Sequence, residues 1–146
     1  MHVIFDLDGT LANLEHRVHL IRGPNVNWPE FYRACGEDLP NVPVCETLRV
    51  FAASADHHVE IWSGRSDKVK ALTEAWLKRH ALPYRRLRMR PARDSRHDVA
   101  VKSEWLDEYL IEHGRLPDVV FDDRQQVVDM WRRRGVLCAQ VAAGDF

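Results

Sequence analysis

Two aspartates separated by one residue follow the first apolar run of the chain. Asp6 and Asp8 lie in the sequence DLDGT, directly after Val3 to Phe5, a short run that predicts a fully buried strand. In a strand-to-loop turn, two such carboxylates can converge on one point. One can act as nucleophile and metal ligand and the other as acid and base, which is the minimum for covalent phosphoryl transfer. A loop that merely favours Asp and Gly is the alternative.

Two further motifs follow the same pattern of polar groups after strands or at helix starts. Ser63, Gly64 and Arg65 come after the run 58–62, and their hydroxyl and backbone N–H groups could hold phosphate oxygens. Capping of the next helix explains the same residues equally well. Lys102 lies in the first turns of a predicted helix, where a solvated lysine is the ordinary interpretation.

A second acidic strand end completes the set. Asp122 and Asp123 follow the apolar run 119–121 and suit an octahedral Mg²⁺ that takes few protein ligands and several waters. Surface acids that cap the following helix are the alternative. Because all four motifs fall in order after strands or at helix starts, coincidence at every one of them is improbable. Together they indicate a phosphoryl-transfer site.

The elements between these motifs alternate between strand and helix. Apolar runs predict strands at residues 3–5, 58–62, 84–89, 119–121 and 135–141, and helical periods predict helices at residues 44–55, 68–80, 101–113 and 125–134. The alternation predicts right-handed βαβ units, and therefore an α/β fold with a doubly wound parallel sheet, Rossmann-like, and helices on both faces. Ligands of such sheets bind at the carboxyl ends of the strands, where the four motifs fall.

Length and one long connection define the domain organisation. The 146 residues predict a single domain, residues 1–146. Between the first strand and the next core helix lies an insert, approximately residues 11–43, which we interpret as a small helical cap over the site. Helices are expected at residues 11–21 and 29–34, and residues 39–43 read as a stiff linker.

Composition excludes several classes of protein. With 45% hydrophobic and 29% charged residues the chain is an ordinary globule, and a net charge of -1 removes the overall basic character of a non-specific nucleic-acid binder. Three cysteines without CxxC spacing suggest buried thiols in a reduced compartment rather than disulfides or a zinc site. No apolar run is long enough for a membrane span or signal peptide, so we expect a cytoplasmic protein with no membrane contact.

The order of the motifs resembles that of the haloacid dehalogenase-like phosphohydrolases, whose pattern is DxDGT, then Ser or Thr, then Lys, then an acidic pair. The resemblance covers the whole chain. It is closer still to the 3′-phosphatase domain of the bacteriophage polynucleotide kinase-phosphatase, through residues 16–17, 62–65, 93–102, 121–124, 127–133 and 140–146.

The resemblance implies Mg²⁺-dependent removal of 3′-phosphate ends from polynucleotides through an aspartyl-phosphate intermediate. It assigns catalysis to Asp6, Asp8 and Lys102, metal binding to Asp6, Asp8, Asp122 and Asp123, and substrate binding to Arg17, Ser63, Gly64, Arg65 and Asp98. Each of the two arginines could bind phosphate oxygens through a pair of hydrogen bonds. Asp98, four residues before Lys102, could orient that lysine, and a helix N-terminal acid is its alternative role.

Residues 85–102 hold seven basic side chains against two acidic ones. They could follow a nucleic-acid backbone, or they could be the charges that keep an edge strand from aggregating. DNA or RNA 3′-phosphate ends are the expected substrate. Because residues 1–146 contain no GxxxxGK[ST] loop, a kinase or ligase is expected as a separate partner. A phosphatase of the same fold acting on mononucleotides or another small phosphomonoester is the nearest alternative, and a nucleic-acid-binding module without turnover is the alternative from another class. The sequence leaves DNA versus RNA preference and oligomeric state open.

Overall fold

Five parallel strands form the central sheet of the computed structural model, which describes residues 1–144. Asp145 and Phe146, the end of the tail that entered the resemblance, lie outside the described residues. The strands are β1 (His2–Phe5), β4 (His58–Ser66), β5 (Arg86–Arg90), β6 (Val119–Arg124) and β7 (Cys138–Gly144). Their order across the sheet is β5-β4-β1-β6-β7, so the first strand is central. A doubly wound parallel sheet is therefore confirmed.

Helices cover both faces of this sheet. The long ones are α3 (Val42–Ala52), α4 (Lys70–Arg79), α5 (Asp98–His113) and α6 (Gln125–Arg133). On one face, Leu48 and Trp76 from α3 and α4 pack with Phe5 of β1. On the other face, Trp105 and Trp131 from α5 and α6 pack around Ile4. The alternating side chains of β1 thus fill two separate cores, as a strand buried on both faces requires.

The insert predicted as a cap contains four short elements and one 3₁₀ turn. They are β2 (Ala12–Asn13), α1 (Glu15–Val18), α2 (Trp28–Arg33), the 3₁₀ turn Ala34–Glu37 and β3 (Leu39–Pro40), with β2 antiparallel to β3. The predicted helix over 11–21 is wrong for most of its length, because its first residues bond across to β3 instead of along the chain. We call residues 11–43 the cap segment, and its role as a cap stays a prediction.

Two core helices begin earlier than the sequence pattern indicates. Helix α3 begins at Val42 with Pro43 in its first turn, so the predicted linker at its start is wrong there. Helix α5 begins at Asp98, where the side chain of His97 accepts a hydrogen bond from the backbone N–H of Val99. The first turn of α3 was missed because Pro43 was assigned to a linker, and the first turn of α5 was missed because it begins with the charged residue Asp98.

The three cysteines are free and buried, as expected. Within residues 1–144, no helix combines the length and the apolar character needed to cross a bilayer.

Candidate active site

Asp6 and Lys102 meet at the centre of the carboxyl edge of the sheet. Asp6 follows β1, and its backbone N–H donates to the carbonyl of Phe121 on β6. The ammonium of Lys102, one turn into α5, lies 2.7 Å from Asp6 Oδ1 and 2.9 Å from Asp122 Oδ2. All three side chains are buried. The ends of β1 and β6 and the start of α5 therefore bring together Asp6, the predicted nucleophile, with Lys102 and Asp122.

A third carboxylate, that of Asp123, lies beside Asp6 and Asp122. The ligand oxygens of these three residues lie within 4.8 Å of one another. Two glycines make room for Asp123, since a Cβ on Gly9 or on Gly144 would overlap its Oδ2 atom. Gly9 also has φ of +83°, a conformation that other residues rarely adopt. This explains the glycine of DLDGT in physical terms.

The charges of this cluster suit a hard divalent cation. Burial raises the pKa of Asp6 well above its usual range, against the pull of Lys102, and burial and Asp122 raise the pKa of Asp123 to about 7. When all three are ionised, these crowded carboxylates carry more negative charge than one lysine offsets, and a divalent cation would supply the missing positive charge. An all-oxygen set of this kind fits Mg²⁺, which prefers carboxylate and water ligands. Asp6, Asp122 and Asp123 would hold it.

The carboxylate of Asp8 is not part of this cluster, so the structure differs from the predicted metal role of that side chain. Asp8 Oδ1 accepts hydrogen bonds from Arg17 at 2.6 Å and from Arg65 at 2.7 and 2.9 Å. Burial would raise the pKa of Asp8, but the two guanidinium groups outweigh it and lower the pKa to about 2. Asp8 is therefore ionised in the resting site.

The sequence interpretation expected Arg17 and Arg65 to present their guanidinium groups to an incoming phosphate. In the structure both side chains are fully buried and bind carboxylates instead. Both also bind Asp38, with Nη2 to Oδ2 distances of 2.6 and 2.7 Å. The remaining nitrogens reach the carbonyl of Phe31 and the hydroxyl of Thr73. The arginines instead hold Asp8 in place and join the cap segment to β4.

Asp38 is the residue of this network that the sequence analysis missed. It is 97% buried, and His16 also bonds to it. Its partners lie 21 and 27 residues away along the chain, and no local pattern marks an isolated Asp before Leu39. Only the fold brings them together.

Replacing Asp38 by Ala is expected to lower the free energy of unfolding by about 3–5 kcal/mol, because it leaves two buried guanidinium groups with one carboxylate between them. Urea unfolding followed by circular dichroism measures the change. The control is Glu74→Ala, which removes an exposed pair with Lys70 and should cost about 0.5 kcal/mol or less. Equal stability of the two variants would contradict the structural role of Asp38.

The remaining predicted site residues lie around the same edge. Asp98 Oδ2 is 3.6 Å from Lys102 Nζ, and its Oδ1 accepts from Arg90. Gly64 lies against Asp98 so closely that a Cβ would overlap the carboxylate. Ser63 is buried, and its hydroxyl accepts a hydrogen bond from the backbone N–H of Arg65. The hydroxyl thus organises the last residues of β4, where the pairing with β5 shifts register between Ser63 and Ser66.

An open cavity leads from the carboxylates to the surface. Its inner part, about 70 Å³, is lined by Asp6, Asp8 and Gly64 together with the aromatic rings of Trp28 and Tyr32. It adjoins an outer groove of about 360 Å³ bordered by the same two rings, by Arg90 and Arg124, and by residues 94–98. The two aromatic residues were missed by sequence analysis, because nothing in the cap segment indicates which side faces the site. Arg124, at the end of β6, entered the sequence analysis only as part of the resemblance.

The basic segment 85–102 is largely neutralised by α5. Arg86 pairs with Glu112, Arg88 with Glu108, and Arg96 with Asp94 and Glu104. Since β5 is the edge strand beside β4, these charges match the edge-protection alternative. Arg90 is the arginine of this segment that borders both parts of the cavity, together with its partner Asp98.

A five-stranded parallel sheet with a DxD motif after its central strand, and with a lysine and an acidic pair beside that motif, defines a phosphatase of the haloacid dehalogenase type. The profile of the family described as the polynucleotide kinase PNKP phosphatase domain matches residues 1–146. The chain belongs to this family.

Relatives and solved structures agree with that assignment. A chain in the structure of the Pnkp1/Rnl/Hen1 RNA repair complex is similar with a TM-score of 0.83 and 36% identity, over 99% of this chain and 43% of that one. A bifunctional polynucleotide kinase/RNA ligase of Autographa californica nuclear polyhedrosis virus is 28% identical over 132 residues, which are 89% of this chain and 17% of the relative. The chain thus spans less than half the length of either.

A third similarity concerns the fold alone. A haloacid dehalogenase-like hydrolase from Streptococcus pneumoniae is 12% identical and superimposes with a TM-score of 0.63, over 95% of this chain and 83% of that one.

Proposed function

We propose that this chain is a Mg²⁺-dependent polynucleotide 3′-phosphatase that works through an aspartyl-phosphate on Asp6 and serves in nucleic-acid end repair. The observation that carries the proposal is the contact of Asp6 with Lys102 inside a group of three carboxylates, where Asp6 lines the inner cavity beside the outer groove. Membership in the family supports the phosphatase reaction. The similarity to chains of an RNA repair complex supports a polynucleotide substrate.

Lys102 makes attack by Asp6 feasible. A phosphate dianion near a carboxylate is repelled by about 4 kcal/mol per charge pair at 4 Å in surroundings of intermediate dielectric. Burial would lower the pKa of Lys102, but Asp122, Asp6 and Asp98 outweigh it and raise the pKa well above its ordinary value, so the ammonium stays charged. Bound Mg²⁺ would add Lewis-acid stabilisation of the phosphoryl oxygens. Asp6 then displaces the 3′ oxygen by in-line attack on phosphorus.

Asp8 would serve as the base of the second step. Because Arg17 and Arg65 keep it ionised, it can take a proton from the water that hydrolyses the aspartyl-phosphate. In the first step it would donate a proton to the leaving oxygen. That step requires the approaching phosphate dianion to raise the pKa of Asp8, since a nearby negative charge favours the protonated form.

The polarity of the substrate is tested with end-labelled oligonucleotides. Release of phosphate from 3′-phosphorylated DNA and RNA is expected to be far faster than release from the same strands phosphorylated at the 5′ end. Comparison of kcat/KM for these strands and for 3′-mononucleotides separates the proposal from the alternative of a small-phosphomonoester phosphatase. Equal kcat/KM for strand and mononucleotide, or a preference for 5′ ends, would favour the alternative.

The similar proteins support a proposal about the partners of this chain. One similar chain belongs to the Pnkp1/Rnl/Hen1 RNA repair complex, and another relative is a polynucleotide kinase/RNA ligase. We therefore propose that a kinase or ligase acts on the same ends, either on a separate chain or in the same protein.

The aromatic wall of the cavity supports a nucleotide substrate. Trp28 is 46% exposed, and its ring stacks on Tyr32 with centroids 5.8 Å apart. Both rings border the path from the surface to Asp6. A nucleobase stacked on an aromatic side chain gains about 1–3 kcal/mol. We propose that Trp28 binds the base of the terminal nucleotide.

Replacing Trp28 by Ala is expected to raise KM for a 3′-phosphorylated oligonucleotide about 5- to 100-fold with little change in kcat, because stacking binds the substrate without touching phosphorus. Steady-state kinetics on an otherwise identical strand with an abasic terminal nucleotide should show no such increase. Trp28→Phe should preserve most of the affinity, and Ile111→Ala, an exposed residue of α5, is the control. An unchanged KM in Trp28→Ala would exclude this role.

A further inference from the structure

A second group of side chains of the types that can bind a metal ion lies at the opposite ends of the strands from Asp6. His58 and Glu60 belong to the start of β4, and His113 is the last residue of α5. Their ligand atoms lie within 4.8 Å of one another. Within residues 1–144, this group and the three catalytic carboxylates are the two clusters of this kind.

His113 has an unused nitrogen in this group. Its Nε2 atom is buried without a hydrogen-bond partner, the one such side-chain atom among the described residues. The closest carboxylate oxygen, Glu112 Oε1, is 3.8 Å away and is bound by Arg86. A buried polar atom without a partner is unfavourable, and a neutral imidazole nitrogen can bind a metal ion instead.

Glu60 is held in an orientation suited to a ligand. The residue is fully buried, its Oε2 accepts a hydrogen bond from the indole of Trp62 at 2.8 Å, and its Oε1 lies 2.7 Å from His58 Nε2. Hydrogen bonds to the second oxygen orient metal-binding carboxylates in this way. The guanidinium of Arg86 lies 3.9 Å from Glu60 Oε1, and the charge of this guanidinium is neutralised by Glu112.

The chemistry of these three side chains indicates which class of metal ion they would bind. Two imidazoles and one carboxylate suit Zn²⁺, which binds such ligands at about 2.0–2.2 Å in tetrahedral geometry and often adds one water. At that bond length tetrahedral ligands lie about 3.4 Å apart, so side-chain movements of about 1 Å convert the observed spacing into a coordination sphere. Mg²⁺, in contrast, prefers oxygen ligands.

We propose that His58, Glu60 and His113 form a zinc site that joins the end of α5 to the start of β4. Because the site lies at the amino edge of the sheet, it stabilises the fold and does not enter the reaction at Asp6. The proposal is independent of the proposed function.

Zinc binding to the chelator-treated protein tests the proposal directly. We expect one Zn²⁺ per chain by elemental analysis after dialysis, not displaced by excess Mg²⁺, and a rise in Tm of about 5–10 °C at zinc concentrations near 100 times Kd. His113→Ala should lose both the metal and the Tm shift. His19→Ala, an exposed histidine in the cap segment, and Asp122→Asn, at the other edge, should keep both.

Cobalt gives a readout that does not depend on stability. Co²⁺ bound to the wild type should show the visible absorption of a tetrahedral nitrogen and oxygen site, which His58→Gln should abolish even if His113→Ala fails to fold. Wild-type protein that binds no stoichiometric zinc overturns the proposal. So does a cobalt spectrum that persists in folded His58→Gln.

Discussion

Replacing Asp6 by Asn is expected to lower the rate of 3′-phosphate release by about 10⁴-fold or more, because the amide lacks the negative oxygen that attacks phosphorus. The amide has the same size as the carboxylate and still accepts a hydrogen bond from Lys102, so the fold should persist. Single-turnover assays with radiolabelled strands measure the loss. Acid quenching should trap a labelled enzyme adduct in the wild type and none in Asp6→Asn.

Asp8→Asn is the comparison that separates nucleophile from proton carrier. It should also lose turnover, but in addition it should lower the midpoint of urea unfolding, since Arg17 and Arg65 lose their charged partner. Asp6→Asn should retain a midpoint close to that of the wild type. Rapid hydrolysis by folded Asp6→Asn protein would refute the covalent mechanism.

Removing divalent cations is the second large effect that we expect. Dialysis against EDTA should reduce turnover about 10³-fold, because a bound cation contributes several kcal/mol of transition-state stabilisation. Mg²⁺ should restore the rate. Ca²⁺ should restore little of it, since a larger ion with 6–8 ligands loosens the octahedral alignment.

The controls distinguish the two metal sites. A zinc-selective chelator present during the Mg²⁺ addition should leave the restored rate unchanged, because the zinc site lies at the other edge of the sheet. Asp122→Asn should raise the Mg²⁺ concentration needed for half-maximal rate, whereas Glu60→Gln should not. Full turnover in EDTA would refute the metal role of the three carboxylates.

The sequence was informative wherever chemistry lies next to a buried strand. Asp6 and Asp122 could be predicted because apolar runs end directly before them, and parallel strands present their carboxyl ends on one edge. These two inferences use only local periodicity and the handedness of βαβ units. Lys102 could not be placed in this way, because a solvated lysine is the ordinary interpretation of its position, and only the resemblance assigned it to the site.

Other features depend on pairings that periodicity does not encode. Arg17 and Arg65 were expected to bind phosphate, but their charges are taken by Asp8 and Asp38, which only the folded cap segment brings near. The arginine-rich segment before α5 was open to two interpretations because its acidic partners come from the following helix. Glu108 and Glu112 face it only after β5 packs beside α5.

The buried bridge through Asp38 has a consequence for the kinetics of entry. Arg17 binds Asp38 within the cap segment, and Arg65 of β4 binds the same carboxylate, so swinging the cap aside would separate charges in a medium of low dielectric. The 3′ end of a nucleic-acid strand should therefore enter along the groove beside Trp28 without displacing the cap segment. A blunt duplex would first have to fray, and the temperature dependence of its turnover would then contain the enthalpy of opening the terminal base pair.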